Sequence, residues 1–171
     1  MKLSFSTKGW HTPTFEQFCE VAEDLRFQGI ELHNIYNRLF TDKDGAFHDY
    51  AAAATLRRLF EKKLSLPCID TIIDVADDSN VKEAVSELEK CMAIAKNLSI
   101  PNVRLRAFYK EDSEKAIETV CKFIEKTLPK AEKQGVSLLL ETSGVFADTS
   151  ALREVLNRFA SDNLGALWNF S

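Results

Sequence analysis

Glycine is scarce in this chain, six in 171 residues, and proline is scarcer at four. A collagen-like repeat or a low-complexity, disordered chain needs far more of both. The glycines are also badly placed for holding phosphate. An open nucleotide-binding sheet carries a glycine-rich turn after its first strand, leading into a helix N-terminus. Here that stretch is Thr7-Lys8-Gly9-Trp10-His11-Thr12-Pro13, with one glycine and two bulky rings. No Rossmann or P-loop signature occurs elsewhere.

Excess basic charge is missing too. Lys plus Arg number 22 against 26 Asp plus Glu, a net charge of −4 with the signs interspersed. Such a chain lacks the electrostatic footprint of a general nucleic-acid or polybasic membrane binder. No segment approaches the roughly 18 uninterrupted apolar residues of a membrane span. Met1 to Ser6 shows no basic region followed by an apolar stretch and a small-residue cleavage site, so neither secretion nor membrane insertion is expected. Four widely separated cysteines, Cys19, Cys68, Cys91 and Cys121, read as buried thiols of a reducing compartment rather than a disulfide pair or zinc site. The expected location is the cytoplasm.

What is present is an ordinary soluble composition, 45% hydrophobic and 28% charged, in a chain long enough to bury a core without staples. Leu3 to Ser6 reads as a strand. Thr14-Phe15-Glu16-Gln17 supplies a capping-box pattern before a helix striped by Phe15, Phe18, Cys19 and Ala22. Gly29 to His33 is a second strand, 34–47 a polar loop, and a helix follows from about Asp49 to Lys62. A third strand lies within 64–74. Val81, Ala84, Val85, Leu88, Met92 and Ala95 mark a long helix, and Val103 to Phe108 a fourth strand. Ile117 to Ala131 stripe another helix, bent at Pro129; Val136 to Thr142 is the fifth strand, Leu152 to Phe159 a shorter helix, and Leu164 to Asn169 a sixth strand.

Strands alternating with helices of this length imply crossovers and a parallel sheet, with no linker dividing residues 1–171 into domains. Length alone favours an open doubly wound sheet; the other reading is an incomplete (β/α) barrel. Strand order separates the two, because a doubly wound sheet holds its first strand centrally.

Chemistry in parallel α/β folds sits at the carboxyl ends of strands. Glu31 and His33 share a face of the second strand, and Arg104 and Arg106 a face of the fourth. Asp70 and Asp74 lie at or beyond the end of the third, Glu141 ends the fifth and Asn169 the sixth. A carboxylate directly after Leu138-Leu139-Leu140 is expensive beside a core unless a metal, an arginine or a substrate meets it; a strand-end glutamate reaching solvent is the bland alternative. Glu31 and His33 read as a ligand or acid/base pair, or as a structural hydrogen bond. Arg106 suits a phosphate or sugar hydroxyl, or an ion pair with a neighbouring carboxylate. Trp10 and His11 suit a wall for the apolar face of a sugar, with Trp10 alternatively a plug at the sheet end.

The ordered set of strands resembles the xylose isomerase-like barrel superfamily, and within it the sugar phosphate isomerase/epimerase group. The likeness rests on Leu3-Ser4-Phe5-Ser6-Thr7, Phe27-Gln28-Gly29-Ile30-Glu31-Leu32, Leu138-Leu139-Leu140-Glu141-Thr142, and Leu164-Gly165-Ala166-Leu167-Trp168-Asn169 after Phe146-Ala147-Asp148-Thr149. The resemblance implies a barrel of TIM type and a divalent metal (Mn, Mg, Co or Zn) held by carboxylates and histidine at its mouth. It implies proton transfer next to the carbonyl of a small sugar or sugar phosphate. Glu141 matches the fifth-strand glutamate that is both ligand and acid/base. Asn169 falls where the sixth strand supplies an aspartate ligand; an asparagine oxygen brings no charge, so affinity for a hard cation should fall.

Against a barrel of about 250 residues the chain is short by roughly two β-α units. The expectation is therefore an amino-terminal portion whose activity needs a longer chain. A non-catalytic chain that binds a small molecule, or pairs with another copy through an open sheet edge, is the competing reading. The DNA-repair endonuclease branch of the superfamily is disfavoured by the acidic balance and by only three histidines, His11, His33 and His48.

Overall fold

A computed structural model of the chain describes residues 2–10, 13–108 and 110–169. Six strands alternate with helices: β1 (Ser4–Ser6), α1 (Phe15–Asp24), β2 (Gly29–His33), α2 (Arg38–Thr41), α3 (Ala52–Glu61), β3 (Cys68–Asp74), α4 (Val81–Asn97), β4 (Asn102–Arg106), α5 (Ser113–Gln134), β5 (Ser137–Glu141), α6 (Thr149–Phe159) and β6 (Leu164–Leu167). All neighbouring strands are parallel, in the order β1-β2-β3-β4-β5-β6. A first strand at the edge and strands laid down in sequence order belong to a barrel, so the doubly wound alternative is set aside. Among the described residues the ring is open, with β1 paired to β2 and β6 to β5.

The pleat divides the sheet into two chemically different faces. Ile30, Leu32, Ile69, Val103, Leu105, Leu138 and Leu140 are fully buried on the helix side, where α4 packs on β3 and β4, α5 on β5, and α6 on β6. The alternate positions, Glu31, Asp70, Arg104, Arg106 and Glu141, point to the other face and are themselves largely buried. A closed barrel of this type fills that face with branched aliphatic side chains. Here it is charged.

Helix starts follow their expected chemistry. Thr14 accepts from the Gln17 amide while Gln17 reaches back to the Thr14 amide, completing the capping box. Asp112 caps α5 and Asp148 caps α6. One element departs from the sequence reading. The polar loop over 34–47 contains α2, one turn started by the Asn37 side chain, too short to give a periodic apolar stripe. Helix α5 contains Pro129, as the stripe from Ile117 to Ala131 requires. A 3-10 turn, Gly144–Ala147, follows β5.

The five long helices return to the sheet through the same left-handed corner, at Arg26 (φ 57°), Lys63 (56°), Ser99 (56°), Gly135 (69°) and Ala160 (45°). Only one of the five is glycine, the residue that adopts this conformation without steric cost.

Candidate functional site

The charged face of β2–β5 forms one connected net, with His33, Arg106 and Glu141 at the carboxyl ends of their strands and Glu31, Arg104 and Asp70 within theirs; Asp70, expected at the end of the third strand, is the third of the seven residues of β3. Register places Asp70 beside His33 on one side and beside Arg104 on the other. His33 Nδ1 lies 2.7 Å from Asp70 Oδ2, and Arg106 Nη2 donates to the same oxygen at 2.8 Å. Asp70 Oδ1 sits 2.7 Å from Arg106 Nη2 and 3.7 Å from Arg104 Nε. This carboxylate has no exposed surface, so its charge is tolerated only because cations surround it.

Glu141 is met from three sides. Its Oε2 accepts from Arg104 Nε at 2.6 Å and Arg106 Nε at 3.1 Å, with Arg104 Nη2 at 2.5 Å. Its Oε1 accepts from Asn169 Nδ2 at 2.6 Å. Burial alone would raise the carboxyl's pKa, but the Asn169, Arg104 and Ser143 donors outweigh it and hold the group below the usual carboxylate range. Arg104 reaches on to Glu31 Oε1 at 3.4 Å. Burial opposes its charge, and Asp70, Glu141 and Glu31 together hold its pKa above the ordinary guanidinium value. Arg106 is pinned further by donating to the Thr71 carbonyl at 3.1 Å.

At His33 the net meets a cleft of about 370 Å³ formed by the loops after β1 and β2 and lined by Thr7, Trp10, His33, Asn34, Asn37 and Arg38 among others. The Thr7 hydroxyl accepts from the His33 amide at 2.9 Å. Asn37 donates to the carbonyls of His33 and Asn34, each at 2.7 Å, which ties the loop after β2 to the strand end. Trp10 leans on Phe5 and Phe18, with ring centroids 6.3 and 6.0 Å away, and stays half exposed.

The sequence-derived residues therefore divide. Trp10 and His33 share the cleft, and Glu31, Arg106, Glu141 and Asn169 share the net, which meets the cleft at His33. His11 lies outside the described residues. Glu31 and His33 do not pair as expected: His33 takes Asp70 and Glu31 takes Arg104. Arg106 is in an ion pair with Glu141 and Asp70. Asp70 and Arg104, which the sequence marked only as strand-end polar residues, hold the net together.

Among the described residues no group of three or more His, Cys, Asp or Glu side chains could hold a metal ion. The donor chemistry agrees. Both Glu141 oxygens are taken by N–H donors, and Asn169 presents its amide N–H to that carboxylate, so this set does not fit a divalent cation, which needs converging oxygen lone pairs. The four thiols are buried and free of disulfides; burial pushes Cys19 up to about 11 and Cys68 and Cys91 to about 12, so they offer no thiolate near neutrality. No helix in the described residues is long and apolar enough to cross a membrane.

A parallel six-stranded sheet in barrel order, with its polar residues at the strand ends, meets its counterpart in the comparisons. The model of the xylose isomerase-like TIM barrel family matches residues 19–171, and this chain belongs to that family. Among solved structures it is similar to a probable 3-DHS dehydratase, AsbF, involved in petrobactin synthesis in Bacillus anthracis, with 18% identity and a TM-score of 0.79 over 99% of this chain and 63% of that one. It is equally similar to the IolI protein with a bound zinc atom, with 18% identity and a TM-score of 0.79 over 97% of this chain and 62% of that one. A D-psicose 3-epimerase crystallised with D-fructose matches with 14% identity and a TM-score of 0.75, over 98% and 63% of the two chains. The chain spans less than two thirds of the length of these three structures. No curated protein matches by sequence.

Proposed function

We propose that this chain is the sugar-binding side of a xylose isomerase-like enzyme, taking a small sugar or sugar phosphate in the cleft between Trp10 and His33. The observation that carries the reading is the placement of that cleft. An aromatic wall, an imidazole and three amide or guanidinium side chains converge at the strand ends, the side-chain types that pack against a sugar ring and bond its hydroxyls. The similar D-psicose 3-epimerase, crystallised in the presence of D-fructose, supports small-sugar chemistry for the fold.

In this reading the reaction class is isomerisation or epimerisation by proton transfer next to a carbonyl, with Glu141 the residue at the family's acid/base position. Turnover is proposed to need barrel strands additional to the six of this chain. A metal, where the family uses one, would stabilise the developing enediolate oxygen; Glu141 and Asn169 as they stand do not fit one. This chain's own residues bind the ring, orient its hydroxyls and fix the Glu141 charge.

Titration with free and phosphorylated ketohexoses, read by Trp10 fluorescence in a Trp168→Phe background, tests the binding half. Saturable quenching that is lost in His33→Ala is expected. Absence of saturation with every sugar, in this chain and in a longer form alike, would rule the reading out.

A further inference from the structure

Three carboxylates and two guanidiniums share the mouth of the sheet: Glu31, Asp70 and Glu141 against Arg104 and Arg106. We infer that the two arginines are the resident cations of this mouth, standing where a divalent ion would stand, so that the site keeps its charge balance and shape without metal.

Occupancy is the first argument. Oε2 of Glu141 takes Arg104 and Arg106, and Oε1 takes Asn169. Oδ2 of Asp70 takes His33 and Arg106, whereas its buried Oδ1 makes no hydrogen bond and is met by ion-pair contacts, 2.7 Å to Arg106 and 3.7 Å to Arg104. An ion drawn to Glu141 or to Asp70 Oδ2 must first evict a charge-assisted hydrogen bond, the stronger kind, and one drawn to Oδ1 would lie against the two guanidiniums.

Charge gives the second argument. Three carboxylates less two guanidiniums leave one negative charge with His33 neutral. A dication would carry the cluster past neutrality and would lie beside two fixed positive charges that repel it. Removing one arginine leaves two net negative charges and frees carboxylate oxygens, the condition that attracts a hard cation.

Rigidity supplies the third argument. Both arginines project from alternate positions of β4, and each is held by its own strand partners: Arg106 donates to the Thr71 carbonyl, and the Thr71 hydroxyl donates to the Arg104 carbonyl. They are built into the sheet rather than folded over it from a loop.

Calorimetric titration of Mn2+ into the EDTA-treated, dialysed chain, paired with thermal unfolding with and without Mn2+, tests the inference without any sugar. The native chain is expected to give no saturable heat and a Tm change below about 1 °C. Arg106→Met is expected to gain a saturable Mn2+ site at least about tenfold tighter than anything in the native chain, with a metal-dependent Tm, both abolished by adding Glu141→Gln. Should Arg106→Met fail to fold, Arg106→Gln carries the same comparison. One Mn2+ per native chain at micromolar affinity, lost on Glu141→Gln, overturns the inference; so does a folded arginine variant that gains no site. Either result leaves the sugar titration to be decided on its own readout.

Discussion

Asp70 and Glu141 are carboxylates that a sheet can bury only because β4 delivers two guanidiniums to the same face. The dependence runs both ways, and acid should expose it. Glu141 is held below the usual carboxylate range in the folded chain, so its contribution to stability is full above the unfolded value near pH 4.5 and is lost as pH falls through the lower, folded one. Urea unfolding between about pH 6 and pH 3 should therefore show stability falling on the acid side. Glu141→Gln should flatten that limb while lowering stability at neutral pH, where it leaves two arginines short of a charge. An acid limb as steep in the variant as in the native chain would move the effect to other carboxylates.

At this scale the sequence was only partly legible. Glu141 announced itself by ending a leucine run. Asp70 and Arg104 carried no comparable signal, because the partners that make them central lie 34–37 positions away in the chain and meet only through strand register. That Glu31 and His33 do not bond each other has a related reason. Residues two apart on a strand share a face but sit about 6.6 Å apart, whereas an adjacent strand is about 4.8 Å away. His33 bonds across to Asp70 instead.

Elements were read more fully. β2 has the predicted bounds, and the capping box at Thr14 and the stripes of α4 and α5 stand where periodicity put them. The short pieces escaped, since α2 and the 3-10 turn are each four residues and a single turn has no period. Two glycine exchanges test what the elements require. Gly144 has φ +59°, and a Cβ there would lie 2.0 Å from the Ala107 carbonyl oxygen, so Gly144→Ala should cost about 2 kcal/mol or more, from left-handed strain and the forced shift of the loop after β4. Lys63 presents the opposite case. It occupies a left-handed corner with a side chain that disfavours it, and Lys63→Gly should stabilise by up to about 1 kcal/mol once glycine's greater unfolded entropy is subtracted. Denaturant midpoints at unchanged m-value measure both.

On the scale of the molecule, barrel type was legible from the strand-helix alternation and the resemblance, and the strand order decided it against the doubly wound sheet. That order also bears on how the chain is made. Among the described residues every strand bonds only to its neighbours in sequence, so each can dock on its predecessor as it leaves the ribosome. Charge arrives in the same order: Glu31 with β2, Asp70 with β3, then both arginines with β4. A nascent chain halted after β3 must bury Asp70 without a guanidinium, whereas one halted after Arg106 has two carboxylates and two cations in hand. Stalled chains of increasing length should therefore turn resistant to protease when Arg106 clears the exit tunnel, and resistance already present before β4 emerges would refute this. Synthesis then has a point of commitment, and it is the strand of arginines.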